Sequence, residues 1–298
     1  MSQDDHRAEI REFLSSRRAR ITPEQAGLPA YGGNRRVAGL RREEVAMLAG
    51  VSIDYYIRME RGNLSGASEA VLDALVRALQ LDEAERDHLF ALARAAGPAR
   101  RPRRPPPTDV RPVIQQVLDA ITDAPAWVRN GRHDIVAMNP LARALYAPVL
   151  ADPRRPANTI RFIYLDPAAR EFFVDWERVA DDAAAMLRLE AGRTPHDQAL
   201  VELVGELSTR SDVFRHRWAS HDVRFHRSGQ KRLRHPVVGR LDLDFESMDL
   251  PSEPGLVLNV YTAPPDTPAA DGLRMLASWA ATQEGEEAPT GTEGGRHG

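Results

Sequence analysis

The first 96 residues carry apolar positions at helical spacing. One stripe is formed by Ile10, Phe13 and Leu14, and two later ones by Val71, Leu72, Leu75, Val76 and Leu79, and by Leu89, Phe90 and Ala93. Apolar positions that recur every three to four residues lie on one face of a helix. Together with the segment between the first two stripes, this pattern predicts an all-α bundle of five short helices over residues 1–96.

The hydrophobic pattern changes after residue 109. Two β-prone runs flank Asn130-Gly131, a pair typical of hairpin turns. Leu241, Leu243 and Phe245 alternate with acidic residues, which predicts a half-buried antiparallel strand. Further strands are predicted at 222–227 and in GLVLNVYTA, and helices at 110–121, 140–147, 168–191, 197–210, 212–220 and 270–280. The order predicts an α+β domain with a mainly antiparallel sheet over residues 109–282.

Composition separates these two parts. The segment 97–108, GPARRPRRPPPT, contains five Pro and predicts an extended linker, and the Gly-, Glu- and Thr-rich segment 283–298 predicts a disordered tail. Residues 1–104 hold 18 basic and 15 acidic side chains, a net charge of +3, while the whole chain has −3. A mildly basic front on an acidic body suits a nucleic-acid-binding head.

Several classes of protein are disfavoured by composition. The chain of 298 residues has no Cys, which excludes disulfides and thiolate zinc sites. It has no apolar run approaching the roughly 18 residues of a membrane span, and its N-terminus lacks a secretion signal. We therefore expect a cytoplasmic protein that has no membrane partner.

Residues 42–61 have the pattern of two short helices joined by a tight turn. Ala46 provides a small side chain where the helices cross, Gly50 tolerates positive φ in the turn, and Ser52 is a good N-cap for the second helix. The string LRREEVAMLAGVSIDYYIRMERG resembles the XRE-type helix-turn-helix repressors. It departs from them at Arg42, where those proteins usually have Gln.

The resemblance implies that the second helix enters the major groove of DNA. Ile53, Asp54 and Arg58, with Ile57 beside them, are then expected to face base edges. Tyr55, Arg42 and Arg61 are expected at phosphates, which fix register without reading sequence. The candidate DNA-binding residues are Arg42, Ser52, Ile53, Asp54, Tyr55, Ile57, Arg58 and Arg61.

The remainder of the sequence has no motif for catalysis. It contains neither a Gly-rich phosphate loop nor HExxH, so no catalytic residue is predicted. His216, His221 and His226 are five residues apart, which does not place two of them on one helical face. We predict no metal, no cofactor and no enzymatic activity.

Several segments beyond the linker are distinctive: AWVRNGRHDIVAMNPLARALYAP, NTIRFIYLDPAAREFFVDWERVA, KRLRHPVVGRLDLDFESM and LVLNVYTA. In this order, behind an XRE-type head, they resemble the MmyB-like regulators and their C-terminal PAS-like ligand-binding domain. The resemblance implies a transcription factor with a small-molecule sensor. A fatty-acid-like occupant would suit the apolar cavity of such a domain.

The same segments contain large or apolar residues expected to enclose one space, with a few polar groups, as in most ligand pockets. The candidate ligand-binding residues are Trp127, Asn130, Ala137, Asn139, Phe162, Trp176, Leu187, Trp218 and His221. Core packing is the competing explanation for each of the aromatic residues.

Three functional hypotheses remain open from the sequence. The first is a homodimeric regulator that binds an inverted-repeat DNA operator and is controlled by a hydrophobic or amphipathic ligand. The second is a non-inducible regulator whose body serves only dimerisation, and the third, less favoured, is an enzyme fused to a DNA-binding head. We expect any coupling to pass through the linker or the dimer geometry, because nothing else in the sequence joins head and body.

Overall fold

The computed structural model describes residues 3–28, 39–96, 109–194, 197–220 and 227–287. Contacts group the chain into two compact units. Unit 1 comprises Met1–Pro105 and Ala180–Phe225, and unit 2 comprises Pro106–Val179 and His226–Gly298.

Unit 1 begins with the five predicted helices, which confirms the helical head. They are α1 (Gln3–Arg20), α2 (Arg42–Leu48), α3 (Ile53–Glu60), α4 (Glu69–Ala78) and α5 (Glu83–Ala95). Ser52, Ser68 and Asp82 cap α3, α4 and α5, each accepting a backbone N–H in the first turn of its helix. Such caps satisfy donors that have no partner within the helix, and each stabilises it by about 1 kcal/mol.

The core of unit 1 is built from the apolar stripes seen in the sequence. Phe13, Leu14, Val45, Tyr56 and Leu89 are fully buried and belong to one cluster. Burying a side chain of this size contributes about 1.5–3 kcal/mol, so the stripes explain why these short helices assemble. The same cluster includes Leu189, a residue far along the chain.

In the part of the chain that the structure describes, the remaining elements are one helix, a pair of strands, seven helices, three strands and a last helix. They are α6 (Pro112–Ala120), β1 (Ala126–Asn130), β2 (Ile135–Met138), α7 (Pro140–Leu145), α8 (Ala147–Leu150), α9 (Thr159–Leu165), α10 (Ala168–Phe172), α11 (Trp176–Arg193), α12 (Gln198–Arg210), α13 (Asp212–Ala219), β3 (Ser228–His235), β4 (Gly239–Asp249), β5 (Leu256–Thr262) and α14 (Pro268–Glu287). Of these, α12, α13 and most of α11 belong to unit 1.

Unit 2 is built on a five-stranded antiparallel sheet of order β2-β1-β5-β4-β3. The predicted hairpin around Asn130-Gly131 is β1–β2, and the predicted alternation on β4 is confirmed, because Leu241, Leu243 and Phe245 are all buried. The helical head and this sheet with its flanking helices confirm the predicted fold class.

The two faces of the sheet have different covers. One face carries Ala126, Val128 and Ala137, which pack with Leu118 of α6. The other carries Trp127 and Tyr261, and helices α7 and α14 contact β1 and β4. Since alternate residues of a strand point to opposite faces, consecutive residues of β1 pack on opposite sides of the sheet.

Two predicted helices are interrupted. The single helix expected at 168–191 is two helices, α10 and α11, because Phe173 adopts an extended backbone and bridges to Leu233 of β3. The backbone N–H of Val174 donates to the carbonyl of Arg232 at 3.0 Å, so the chain pairs briefly with the sheet edge. The helix expected at 140–147 likewise ends at Leu145, and α8 follows it as a separate turn.

Other expectations concern segments at the edges of the described residues. The linker 97–108 and the strand expected at 222–227 lie outside them, except for residue 227. Helix α14 continues to Glu287, five residues past the predicted end of the body at 282, and residues 288–298 lie outside the described part.

One expectation about the link between head and body is wrong. The sequence offered only the linker and dimer geometry, yet residues 180–220 pack with helices α1–α5 in unit 1. Arg188 of α11 donates two hydrogen bonds to the Glu9 carboxylate of α1, at 2.7 and 2.6 Å. Contacts between residues 179 positions apart cannot be read from local sequence patterns.

Candidate DNA-binding surface and ligand site

The turn between α2 and α3 has the geometry predicted for a helix-turn-helix pair. Gly50 has a φ of +65°, and its N–H donates to the Met47 carbonyl at 3.1 Å. Ala46 is buried where the helices meet. Ser52 Oγ accepts the Tyr55 N–H at 3.2 Å and so fixes the start of α3.

Helix α3 has one buried face and one exposed face. Tyr56, Met59 and Glu60 are buried against the other helices. Asp54, Arg58 and Arg61 are exposed, and so is Ile53, with 43% of its surface accessible, while Ile57 is half-buried. The exposed face of α3 therefore presents one large apolar side chain, Ile53, as well as the charged side chains of Asp54, Arg58 and Arg61.

An open groove of about 410 Å³ runs along this exposed face. It is lined by Asp54, Ile57, Arg58 and Arg61 of α3 and by two residues that sequence reasoning missed, Arg7 and Asn63. Three Arg and one Asp give the groove a net positive charge, which favours an anionic partner.

Arg7 reaches the groove because α1 and the end of α3 approach closely. Gly62 has a φ of +98°, and a Cβ atom there would lie 2.4 Å from the Arg7 carbonyl oxygen. Only Gly satisfies both conditions. The Glu-Arg-Gly end of the motif marks the turn in the sequence, but nothing in the sequence identifies its neighbour on α1.

Arg58 is held in place by Tyr55. Its guanidinium carbon lies 4.7 Å from the centroid of the half-buried Tyr55 ring. A cation over an aromatic face is stabilised electrostatically, and the contact limits the rotamers of a long side chain. Tyr55 therefore positions Arg58, in addition to its expected place near phosphates.

Glu60 joins three helices. It is buried, accepts the Nε–H of Arg18 (α1) at 2.6 Å and also accepts the Nε–H of Arg42 (α2). The hydrogen bond from Arg42 and the negative charge of Glu60 raise the pKa of the Arg42 guanidinium. Burial, aided by the charge of Glu60, raises the pKa of the Tyr56 hydroxyl. Arg42 is half exposed, so the phosphate contact predicted for it would be made while it is also hydrogen-bonded to Glu60.

In unit 2, three of the predicted ligand residues lie in or beside an aromatic cluster. Trp127 lies 5.2 Å from Tyr146 between ring centroids, and Tyr146 lies 6.2 Å from Phe172. Phe162 and Phe173 each contact Phe172, at 5.8 and 5.0 Å. Trp176 is anchored nearby, because its Nε1–H donates to the carbonyl of Ile163 on α9 at 2.9 Å.

The cluster contains one pair of hydroxyl groups. Tyr146 Oη and Tyr261 Oη are 2.7 Å apart and buried. Burial raises the pKa of both phenols, so both stay neutral and able to donate at ordinary pH. The contact between these two hydroxyl groups was not predicted, since the residues are 115 positions apart.

The two predicted Asn residues have structural partners. Asn139 Oδ1 accepts the N–H groups of Ala126 and Ala142, and its Nδ2 donates to the carbonyls of Ile121 and Ala124, which uses all four of its hydrogen bonds. Asn130 exchanges two hydrogen bonds with Asp134 across the hairpin loop. Turn and cap roles therefore account for these amides without a ligand.

Ala137, Leu187 and Trp218 are not part of this aromatic cluster. Ala137 pairs with Val128 and faces α6, on the opposite side of the sheet from Trp127. Leu187 and Trp218 belong to unit 1, where Trp218 stacks on Phe214 with centroids 5.4 Å apart. His221 lies outside the described residues. Within unit 2, the structure therefore does not bring Trp127 and Ala137 to one face of the sheet.

Within the described ranges, no cluster of three or more His, Asp or Glu side chains is arranged to hold a metal ion. None of the helices in that part of the chain is both long and apolar enough to cross a membrane.

The comparisons with known families agree with this geometry. A model described as a helix-turn-helix domain matches residues 15–89, which places the chain in the class of helix-turn-helix DNA-binding regulators. A second model, the MmyB-like transcription regulator ligand binding domain, matches residues 110–276, more than half of the chain. The chain belongs to this family of MmyB-like transcription regulators, as its sequence motifs predicted. None of the curated proteins matches it.

Proposed function

We propose that α3 binds in the major groove of duplex DNA and reads sequence through Ile53, Asp54 and Arg58. The exposed face of α3 is the observation that carries the proposal. Arg58 would donate to guanine O6 and N7, Ile53 would pack against a thymine methyl, and Asp54 would accept from cytosine N4. Ser52 supports this role by fixing the first turn.

Phosphate contacts would surround these base contacts. Arg61, at the end of α3, and Arg7, on α1, flank the same groove, and Arg42 is half exposed at the start of α2. Such contacts supply affinity that depends on salt and little on sequence. Tyr55 contributes by positioning Arg58.

Enrichment of a random duplex pool by the full chain tests DNA binding directly. We expect one defined sequence motif to emerge after several rounds. Enrichment that yields no motif, or retention of all duplexes with equal affinity, would contradict sequence-specific recognition.

We further propose that the protein acts in the cytoplasm as a homodimer on an inverted repeat. One head of this size buries too little surface on DNA for tight selection of a site, and paired heads suit half-sites about one helical turn apart. Sedimentation of the free protein and of its DNA complex tests this proposal. A monomer in both measurements would contradict it.

The ligand of the second domain would be a hydrophobic or amphipathic small molecule, fatty-acid-like in character. The aromatic cluster of Trp127, Phe162 and Phe172 supports an apolar partner, and the Tyr146–Tyr261 hydroxyl pair supports one polar end. Mass spectrometry of the denatured, purified protein should reveal a bound small molecule. Its absence, together with no binding of added palmitate, would favour a non-inducible regulator whose body serves dimerisation.

A further inference from the structure

A second cluster of charged side chains lies in unit 1, apart from the DNA-reading face. Glu9 of α1 accepts both hydrogen bonds from Arg188 of α11, and His88 Nε2 of α5 lies 3.5 Å from the same carboxylate. Arg188 and His88 are buried. Burial alone would raise the pKa of Glu9, but the nearby His88 imidazole and the Arg188 guanidinium hold it well below its usual range.

Arg188 is fixed on its other side as well. Its guanidinium lies 4.0 Å from the centroid of the Trp218 ring on α13 and donates to the Trp218 carbonyl. One turn further along α11, Arg193 donates to Asp87 of α5 at 3.2 Å. Leu189, between them, is buried in the core formed by the first five helices. The end of α11 is thus held by polar and apolar contacts together.

Gly192 of α11 lies against the His88 ring of α5. A Cβ atom at Gly192 would lie 2.6 Å from two atoms of the His88 imidazole, a distance that real Cβ atoms do not show. Because His88 is fully buried and packs edge-on against Phe13 at 4.9 Å, its ring has little room to move. Gly192 therefore lies where only glycine permits α11 to pack against α5.

The contact joins segments from the two matched families. His88 lies within the helix-turn-helix match, and Arg188 and Gly192 lie within the ligand-binding match. Glu9 is two residues from Arg7, which lines the DNA groove, so the two side chains leave α1 on roughly opposite sides. Asp54, Arg58 and Arg61 stay exposed while α11 is docked.

We propose that the docking of α11 on α1 and α5, through Arg188–Glu9 and Gly192–His88, couples the ligand-binding domain to the DNA-binding surface. This proposal rests on the proposed function. Since α11 leaves the reading face open, it acts by setting the position of α1, and with it Arg7 and the Gly62 contact at the end of α3. A ligand then alters DNA affinity only as far as it favours the docked or the undocked state.

Gly192→Ala in the full chain tests the docking itself. Alanine favours the helix, so the expected harm comes only from the clash with His88. We expect amide hydrogen exchange in α1 and α5 of the free protein to accelerate about tenfold, as overpacking of a core usually causes. Gly205→Ala on α12 is the matched control, because a Cβ there meets nothing within 4 Å.

His88→Ala supplies a rescue. In that background the added Gly192→Ala should change exchange by less than about twofold, because the clash is gone. Equal exchange in Gly192→Ala and Gly205→Ala, or failure of His88→Ala to remove the effect, would overturn the docking contact. These measurements need no DNA, so they test the docking contact even if the protein does not bind DNA.

Coupling is tested with a duplex selected by the full chain. Coupling between two sites is reciprocal, so bound DNA should slow amide exchange in α11 and α13 of the wild type and of Gly205→Ala. In Gly192→Ala, bound DNA should slow exchange in the helical head but not in α11 and α13. The proposal would be overturned if bound DNA did not slow amide exchange in α11 of the wild type, or if it slowed that exchange equally in Gly192→Ala. A wild type that selects no duplex would instead contradict the proposed function.

Discussion

Replacing Glu60 with Gln should destabilise the helix-turn-helix unit more than any single change on its surface. The substitution keeps the shape of the side chain but removes the charge that Arg18 and Arg42 share. An amide can accept from one guanidinium only by turning its NH₂ group towards the other. The largely buried guanidinium of Arg18 then loses its anionic partner.

The magnitude follows from burial. Removing one partner of a buried ion pair usually costs about 3–5 kcal/mol. Arg42 is half exposed and Arg18 keeps its hydrogen bond to the Leu40 carbonyl, so the cost should lie at or below the lower end of this range. We expect a loss of about 2–3 kcal/mol, which corresponds to roughly 30- to 150-fold faster exchange of the α3 amides.

Amide hydrogen exchange is the suitable assay, because all four Trp lie outside residues 1–96 and their fluorescence would not report on these helices selectively. Glu43→Gln is the matched control, since its partner Arg41 is exposed and such pairs contribute at most about 1 kcal/mol. Exchange in Glu60→Gln within about threefold of the control would refute the view that this carboxylate holds the three helices together.

Three further predictions concern other parts of the molecule. Arg61→Ala and Arg7→Ala should each weaken binding to all duplexes alike and reduce the salt slope of binding by about one, measured by fluorescence anisotropy, whereas a changed base preference would exclude a phosphate role. Burial lowers the pKa of His88, so the unfolded chain gains a proton below about pH 6.5 while the folded chain does not, and unit 1 should lose stability as pH falls through that value. Protection factors of the α5 amides at about pH 7 and about pH 5.5 measure this effect, and His88→Gln should reduce it. Asn139→Ala should lower the free energy of unfolding of unit 2 by about 2–4 kcal/mol, read from urea-dependent exchange in α7, and a loss below about 0.5 kcal/mol would show that its four hydrogen bonds are replaceable.

The head could be predicted from sequence because its signals are local. The apolar stripes, the Ser52 cap and the Gly50 turn each act over a few residues, and together they define the pair of helices and the exposed face of α3. The alternation on β4 is local in the same sense. Where a structure depends on spacings of two to four residues, the sequence pattern alone predicts it.

The predictions were wrong where contacts between residues distant in the sequence determine the structure. The break between α10 and α11 depends on the bridge from Phe173 to Leu233, which no helical periodicity reveals. Asn139 looked like a polar group of a pocket but caps α7 and ties down the chain before β1. Ala137 and Trp127 were grouped by composition, although the strand alternation places them on opposite faces of the sheet.

The partners of charged residues were the least predictable feature. Glu60 pairs with Arg18 and Arg42, and Glu9 with Arg188, across 42, 18 and 179 positions. The sequence does not identify the partners of Glu60, which lie on the neighbouring helices α1 and α2. Ion pairs of this kind depend on how helices cross, which the order of residues does not specify.

The most direct test of the central claim is a comparison of the DNA motifs selected by the wild type, Arg58→Ala and Arg61→Ala. If α3 reads bases through Arg58, its loss should relax the preference at one position in each half-site and cost about 1–3 kcal/mol on the selected sequence. Arg61→Ala should keep the motif and lower affinity uniformly. An unchanged motif and unchanged affinity for Arg58→Ala would contradict recognition of DNA by this face of α3.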